Sequence, residues 1–328
     1  MSNFWYNKKV LVTGGAGFTG SYVVELLVNK NAIVTVVDNL ENGDLSYLNK
    51  VKDRIIFLQE DMRDLRKAKT VCREQEIVLN LAAKVGGVDF NRRYLGTMFR
   101  DNVMINTNVL EAAREAQAER FLVVSSACVY PRHCAIPTPE AEGFKDAPEP
   151  TNEGYGWAKR VAEIQGRLYA QEFGMKIGIV RPYNIYGPRD HFEPEKSHVI
   201  PALIKRIYDG ENPLSIWGDG EQSRSFVYVA DVARGLLEVA EKYSIADPLN
   251  IGSNEEIKIK ELVKLIIKLS GKNFKLYFDM TKPVGQPRRN CDNTKIKEKI
   301  GFDAQVSLKE GIEETIKWYQ QSKYFKGN

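Results

Sequence analysis

Tyr155 and Lys159 stand four residues apart in YGWAKRVAEI, a stretch with helical periodicity, so both side chains share one helix face. An ammonium beside a phenol favours the phenolate, which lets a tyrosine take up or give back a proton near neutral pH. Ser126 ends the apolar run 121–125 and can hydrogen-bond the same substrate oxygen. A Tyr-x-x-x-Lys pair alone is common. Joined to an upstream glycine-rich turn and a serine, in that order, it is far more specific and points to redox chemistry on an alcohol carbon.

That turn is TGGAGFTG, where Gly15-x-Gly17-x-x-Gly20 fits the dinucleotide fingerprint and Gly14 gives an overlapping spacing. Its glycines allow a tight turn, close approach of a pyrophosphate to backbone, and close helix–strand packing. The helix that follows offers unpaired N–H groups to the phosphates. Gly14, Gly17, Phe18 and Thr19 are the candidate contacts here. Asp38 lies 18 residues beyond Gly20 at the end of a second β-branched run, with Asn39 beside it. A carboxylate there accepts ribose hydroxyls and repels a 2′-phosphate, so the expected cofactor is NAD rather than NADP. Asp61 and Met62, after a third run, are placed to flank the adenine.

These residues need a frame. KVLVT (9–13), the helical SYVVELLVNK and the run Ile33–Val37 make one βαβ unit of about 30 residues. Further short strands read at 55–58, 77–81, 121–125 and 177–180, with helices between them, including 102–117 and 155–173. Alternation of this kind predicts an α/β fold: a Rossmann-type, doubly wound parallel sheet covered on both faces. After Arg181-Pro182 the chain is punctuated by Pro188, Pro194, Pro201 and Pro213. Residues 226–229 and 248–252 read as isolated strands around a helix at about 231–242, and helices follow near 258–270 and 307–320, with an extended piece at 274–278. The expected division is a dinucleotide-binding domain over 1–182, to which 226–252 return, and a smaller C-terminal substrate-binding lobe from 183–225 and 253–328.

Composition excludes several classes. The net charge of +4 over 328 residues, without a basic stripe, argues against a nucleic-acid partner. Four cysteines without Cys-x-x-Cys spacing, and three histidines, make neither a disulfide scaffold nor a zinc site, so no metal is expected. No run reaches the length of a membrane span, and MSNFWYNKK leads directly into a strand, so a cytoplasmic protein is expected.

TGGAGFTG, Asp38, LAAK (81–84), SSACVYP, YGWAK, RPYNIYGP and WGDGEQSRSFVYV resemble the extended short-chain dehydrogenase/reductases of the nucleotide-sugar epimerase/dehydratase group. The resemblance runs over essentially the whole chain. Within that group AAKVGGV (82–88) resembles both GDP-fucose synthases and GDP-mannose 3,5-epimerases; KSHVIPAL (196–203) and KPVGQPRR (282–289) resemble the former, whereas SSAC and WGDGEQSRSF resemble the latter more. UDP-hexose 4-epimerases are similar mainly in the N-terminal half. The resemblance implies that Tyr155 deprotonates a sugar C4 hydroxyl while hydride passes to NAD, that Lys159 holds the nicotinamide ribose, and that Ser126 orients the oxygen. Leu81, Ala82 and Ala83 then join the cofactor site, and a homodimer through helices 102–117 and 155–173 is implied.

On residue chemistry alone Cys128 is a small side chain after a strand and His198 a loop hydrogen-bonder. The resemblance makes them the acid/base pair that epimerises C3 and C5 beside a C4 ketone, work that suits a thiol and an imidazole. The 3,5-epimerases' own acid/base lysine motif is not evident. Arg224 and Arg288 are candidates for a diphosphate, and the adjacent Arg289 is a weaker one. Lys84, Gly86, Gly87 and Val199 are candidate sugar-side contacts, while Asn184 either contacts substrate or caps a turn. The expected partner is thus a nucleotide sugar, with a GDP-sugar favoured, and the expected enzyme is an epimerase with transient C4 oxidation. The rival is a GDP-4-keto-6-deoxymannose epimerase/reductase, followed by a UDP-hexose 4-epimerase or a GDP-sugar 4-dehydrogenase. Dehydration is disfavoured because Ala127-Cys128 occupies the positions of a dehydratase's Thr/Ser–acid pair. A redox-inert nucleotide sensor is disfavoured because all three triad side chains are present.

Overall fold

A computed structural model describes residues 3–194, 197–282 and 286–325. Strands β1 (Lys9–Thr13), β2 (Ile33–Asp38), β3 (Ile55–Gln59), β4 (Ile77–Asn80), β5 (Arg120–Val124) and β6 (Lys176–Pro182) alternate with helices α1 (Phe18–Asn29), α2 (Leu65–Cys72), α3 (Val88–Arg93), α4 (Leu95–Glu115) and α5 (Glu153–Phe173). The second half contributes β7 (Ile185–Tyr186), α6 (Val199–Tyr208), β8 (Leu214–Trp217), β9 (Ser223–Ser225), β10 (Val227–Tyr228), α7 (Val229–Lys242) and β11 (Pro248–Ile251). It continues through β12 (Glu256–Lys258), α8 (Ile259–Ser270), β13 (Leu276–Asp279), β14 (Arg288–Arg289), α9 (Thr294–Ile300) and α10 (Leu308–Gln321).

Seven strands form one parallel sheet in the order β11-β6-β5-β4-β1-β2-β3. Alternate side chains serve opposite faces, as a strand's two-residue period requires. Val10 and Val12 pack with α1 and α7, and Leu11 packs on the other face with α2, α4 and α5. Both faces are therefore buried, which is why these strands read as near-continuous apolar runs. Strand order reverses between β1 and β4, so a crevice opens outside their carboxyl ends, where ligands bind in such sheets.

Strand β11 is the edge strand of the large sheet beside β6, and α7 reaches it from the small β7–β10 ribbon. The remaining elements make a second apolar cluster from α6, α8, α10 and β8. Helix α4 begins at Leu95, seven residues before the expected start. Its first turns carry exposed Leu95 and Phe99 with buried Asp101 and Asn102, an inverted pattern that hides the helix from a periodicity reading. Among the described residues no helix is long and apolar enough to cross a membrane.

Candidate active site

One continuous cleft of about 1470 Å³ runs from the glycine turn to β14. Single-ligand pockets hold roughly 300–1,000 Å³, so this one has room for a dinucleotide and a second nucleotide end to end.

At the cofactor end, Gly14 has φ of +67°, and a Cβ on Gly20 would lie 2.1 Å from the Gly14 carbonyl oxygen. Only glycine fits either place. Gly17 caps α1 without a side-chain bond, and no acid occupies the first turn, so its N–H groups are available to phosphate. Phe18 and Thr19 open that helix. Asp38 accepts the Ala16 N–H at 3.1 Å and the Leu40 N–H at 2.9 Å. Burial pushes its carboxyl up while those two bonds pull it down. Asn39 donates to Asp61 at 3.3 Å, and Arg63, forking onto Asp61, holds that carboxyl down at about 2. Met62 is buried beside it, and Leu81, Ala82 and Ala83 line the groove after β4, where Thr13 accepts the Ala82 N–H at 3.1 Å. Together the turn, the open helix end and Asp38 fit an NAD-type dinucleotide.

At the centre, the Ser126 hydroxyl accepts the Cys128 N–H at 3.1 Å and lies beside the Tyr155 phenol. Lys159 donates to the Val124 carbonyl at 2.8 Å, with its ammonium 5.4 Å from the centre of the Tyr155 ring. A lysine one helical turn away is expected to make the phenol acidic. Instead, burial drives the Tyr155 phenol well above its usual value, with Cys128 adding to the rise and Ser126 opposing it. Burial also pulls Lys159 down to about 8, against attraction from Cys128 and Glu163. Two glycines flank the tyrosine for a steric reason. A Cβ on Gly154 would sit 2.3 Å from the Leu95 carbonyl oxygen, and one on Gly156 would sit 2.5 Å from that of Cys128. Helix α5 thus lies directly against the turn that presents Ser126 and Cys128.

At the far end, His198 is the N-cap residue of α6, with 59% of its side chain exposed along the cleft. Its Nδ1 is 3.6 Å from Asp190, whose carboxylate outweighs the desolvation of the cleft and raises the imidazole above its ordinary value. Cys128, His198 and Val199 line the same cleft as the triad. Arg224 on β9 and Arg289 on β14 are cross-strand partners. Burial, and then Arg289, lower Arg224 to about 10. Arg289 is desolvated too, yet contact with Cys128 keeps its pKa raised, and its guanidinium lies 5.8 Å from the Tyr183 ring centre. Directly opposed like charges repel. No carboxylate among the described residues pairs with either one, so the row has the charge to hold an anion.

Three expected contacts are engaged by other partners. Arg288 is half exposed and forks onto Glu256 at 2.7 Å, outside the cleft, because successive strand residues face opposite ways and Arg289 takes the inward position. The Lys84 ammonium is ion-paired with Glu41 and lies 3.8 Å from Asp101, so it spans toward the cofactor loop rather than the sugar end. Asn184 lines the cleft but donates to the Ser225 carbonyl at 2.7 Å, which ties β9 down. Gly86 packs on Phe90, and Gly87 caps α3. Lys196 and Pro283–Gly285, parts of two quoted motifs, lie outside the described residues. Asp190, Arg289 and the cleft-lining Trp217 are the residues that sequence reasoning missed or undervalued; only Arg289 had a signal, its place in PRR.

Arg289→Ala is expected to raise KM for a diphosphate substrate more than about tenfold, the loss of one charge-assisted bond, while Arg288→Ala shifts it less than about twofold. Steady-state kinetics on both variants checks this, and equal effects would show that the β14 facing is misassigned.

The profile of the NAD dependent epimerase/dehydratase family matches residues 10–252. A probable GDP-L-fucose synthase 1 of Oryza sativa subsp. japonica is 35% identical over 96% of this chain and 92% of its own length. GDP-mannose 3,5-epimerase 1 of Oryza sativa subsp. indica is 29% identical over 97% of this chain and 84% of its own. Among solved structures, the UDP-glucose 4-epimerase of Thermotoga maritima with UDP-glucose superposes with a TM-score of 0.86 at 31% identity, covering 95% of this chain and 98% of its own.

Proposed function

Because the chain belongs to the NAD dependent epimerase/dehydratase family, with NAD as its cofactor, we propose that it is a nucleotide-sugar epimerase that inverts C3 and C5 of a GDP-hexose. The observation that carries this reading is the convergence of Cys128 and His198 on the cleft that holds the Ser126/Tyr155/Lys159 triad.

NAD held by the Gly14–Gly20 turn and Asp38 would supply reversible hydride acceptance at C4, which would make the cycle redox-neutral. Tyr155 takes the C4 hydroxyl proton and later restores it, with Ser126 holding the oxygen in line. Its raised phenol must be charged at the moment of transfer, which nearby positive charge favours. With C4 a ketone, the C–H bonds at C3 and C5 are acidic enough for side-chain bases. Cys128 and His198 then remove and return protons there. Arg224 and Arg289 grip the diphosphate, and Trp217 offers a flat face to the base. The GDP preference is supported by the names of the rice relatives.

A second reading is an epimerase/reductase that ends in net reduction by an external nicotinamide donor. The fucose synthase relative and KSHVIPAL favour it, and Asp38 opposes the 2′-phosphate of NADPH. One experiment separates them: incubation with GDP-, UDP-, CDP- and dTDP-hexoses in D₂O, with and without NADPH. Deuterium is expected at C3 or C5 of GDP-mannose without any added donor. Inversion at C4 with no wash-in would remove Cys128 and His198 from the chemistry.

We propose also that two copies pair through α4 and α5. Exposed Trp157, Ile164 and Leu168 fall on one stripe of α5, next to Leu95 and Phe99 of α4. Light scattering should give twice the 37.2 kDa chain mass; a monomer mass would exclude the pairing.

A further inference from the structure

Asp190 is wholly buried, yet nothing in the cofactor or diphosphate contacts uses it. Its Oδ1 accepts the His191 N–H at 2.7 Å and faces His198 Nδ1 at 3.6 Å, and its Oδ2 has no hydrogen-bond partner among the described residues. A carboxylate stripped of water and left half satisfied is costly unless a charge is brought to it.

The backbone around it is held in a way that serves this. The preceding Arg189 takes a left-handed φ of 73°, rare for a side chain of that size. It is locked there by bonds to Ser21 Oγ at 3.0 Å and to Glu25, and by stacking at 4.6 Å on the Tyr22 ring. All three partners lie on α1, the helix whose N-terminus opens the cofactor site. Asp190 is therefore a fixed point relative to the cofactor, whereas His198 stands free at the start of α6.

We infer that Asp190 is a positioning residue for His198: it fixes the imidazole, by its Nδ1 edge, in the orientation that presents Nε2 to the sugar as proton donor. This rests on the proposed acid/base reading of His198. The surrounding charges leave the task to Asp190. On the same loop His191 sits 3.9 Å from Glu193, and along α6 Lys205 and Arg206 are paired with Asp209 and Glu211. From α1, Glu25 is taken by Arg189, and across the cleft Arg224 and Arg289 add only positive charge, which works against imidazolium. The raised imidazole is the electrostatic signature expected of this pair.

The test is an NMR titration of the three histidines in the full-length enzyme, with His198→Gln to assign the resonance, alongside the pH profile of deuterium wash-in from D₂O. Wild-type His198 is expected to titrate above the ordinary value of about 6.5. Asp190→Asn, which keeps shape and removes charge, should move it downward and leave His133 in place. Wash-in at pH 8 should then fall at least tenfold, the acidic shift of its profile matching that of the imidazole, with substrate KM within about threefold. A wild-type imidazole titrating at or below the ordinary value overturns the inference without any variant, and so does an unmoved imidazole in a folded Asp190→Asn protein. Absence of wash-in from the wild type, with the imidazole titrating as expected, defeats instead the acid/base reading on which the donor role rests.

Discussion

Tyr155→Phe should lower turnover roughly 10³-fold while changing substrate KM less than about threefold, because it deletes one proton carrier and leaves the binding surface intact. The ring is half-buried, with the Lys159 ammonium 5.4 Å from its centre, so phenylalanine fills the same space. Ser126 keeps its bond from the Cys128 N–H, and Lys159 keeps its bond to Val124. The loss should therefore fall on kcat, the pattern of an interaction made in the transition state alone. Wash-in at C3 and C5 must fall in step, since neither carbon is acidic until C4 is oxidised. Wash-in that survives in the phenylalanine variant would mean that another group takes the C4 proton.

The second large effect is on stability. Arg181 and Glu163 form a buried, forked ion pair, with Nε–Oε1 at 2.8 Å and Nη2–Oε2 at 2.7 Å. Ser125, next to Ser126, also bonds to Glu163, while Arg181 reaches the Tyr130 hydroxyl at 3.0 Å and the Glu140 carbonyl at 2.7 Å. Arg181→Met strands the carboxylate without water or counter-charge. Breaking such a pair costs about 3–5 kcal/mol, and the Arg181→Met/Glu163→Leu double variant should recover part of it. Urea unfolding monitored by fluorescence checks both. A single-variant loss below about 1 kcal/mol would mean that water enters the site and that this network does not brace α5.

What could be read beforehand follows from what is local. The glycine turn, Asp38 and the Tyr155/Lys159 pair are encoded by spacing within single elements, and the structure sets them along one cleft. The sheet was legible because strands buried on both faces leave unmistakable apolar runs. Features set by tertiary packing were not. Whether Arg288 or Arg289 turns inward depends on the pairing of β14 with β9, which adjacency in PRR cannot decide. The ion pair between Lys84 and Glu41 joins loops 43 residues apart. Asp190 meets His198 only because Arg189 pins an irregular loop, and no spacing marks that. The phenol's environment also departs from the pairwise expectation: a nearby lysine predicts acidification, yet burial of the whole turn is the larger influence.

The row of Arg224 and Arg289 has an implication for turnover. On the proposed reading, two guanidinium groups side by side without a carboxylate partner among the described residues would be satisfied by a bare nucleoside diphosphate as well as by a complete sugar substrate. A diphosphate lacking its hexose would then act as a competitive brake. Cells with a high ratio of free nucleotide to sugar nucleotide would throttle this enzyme through its own anion clamp, without a separate allosteric site.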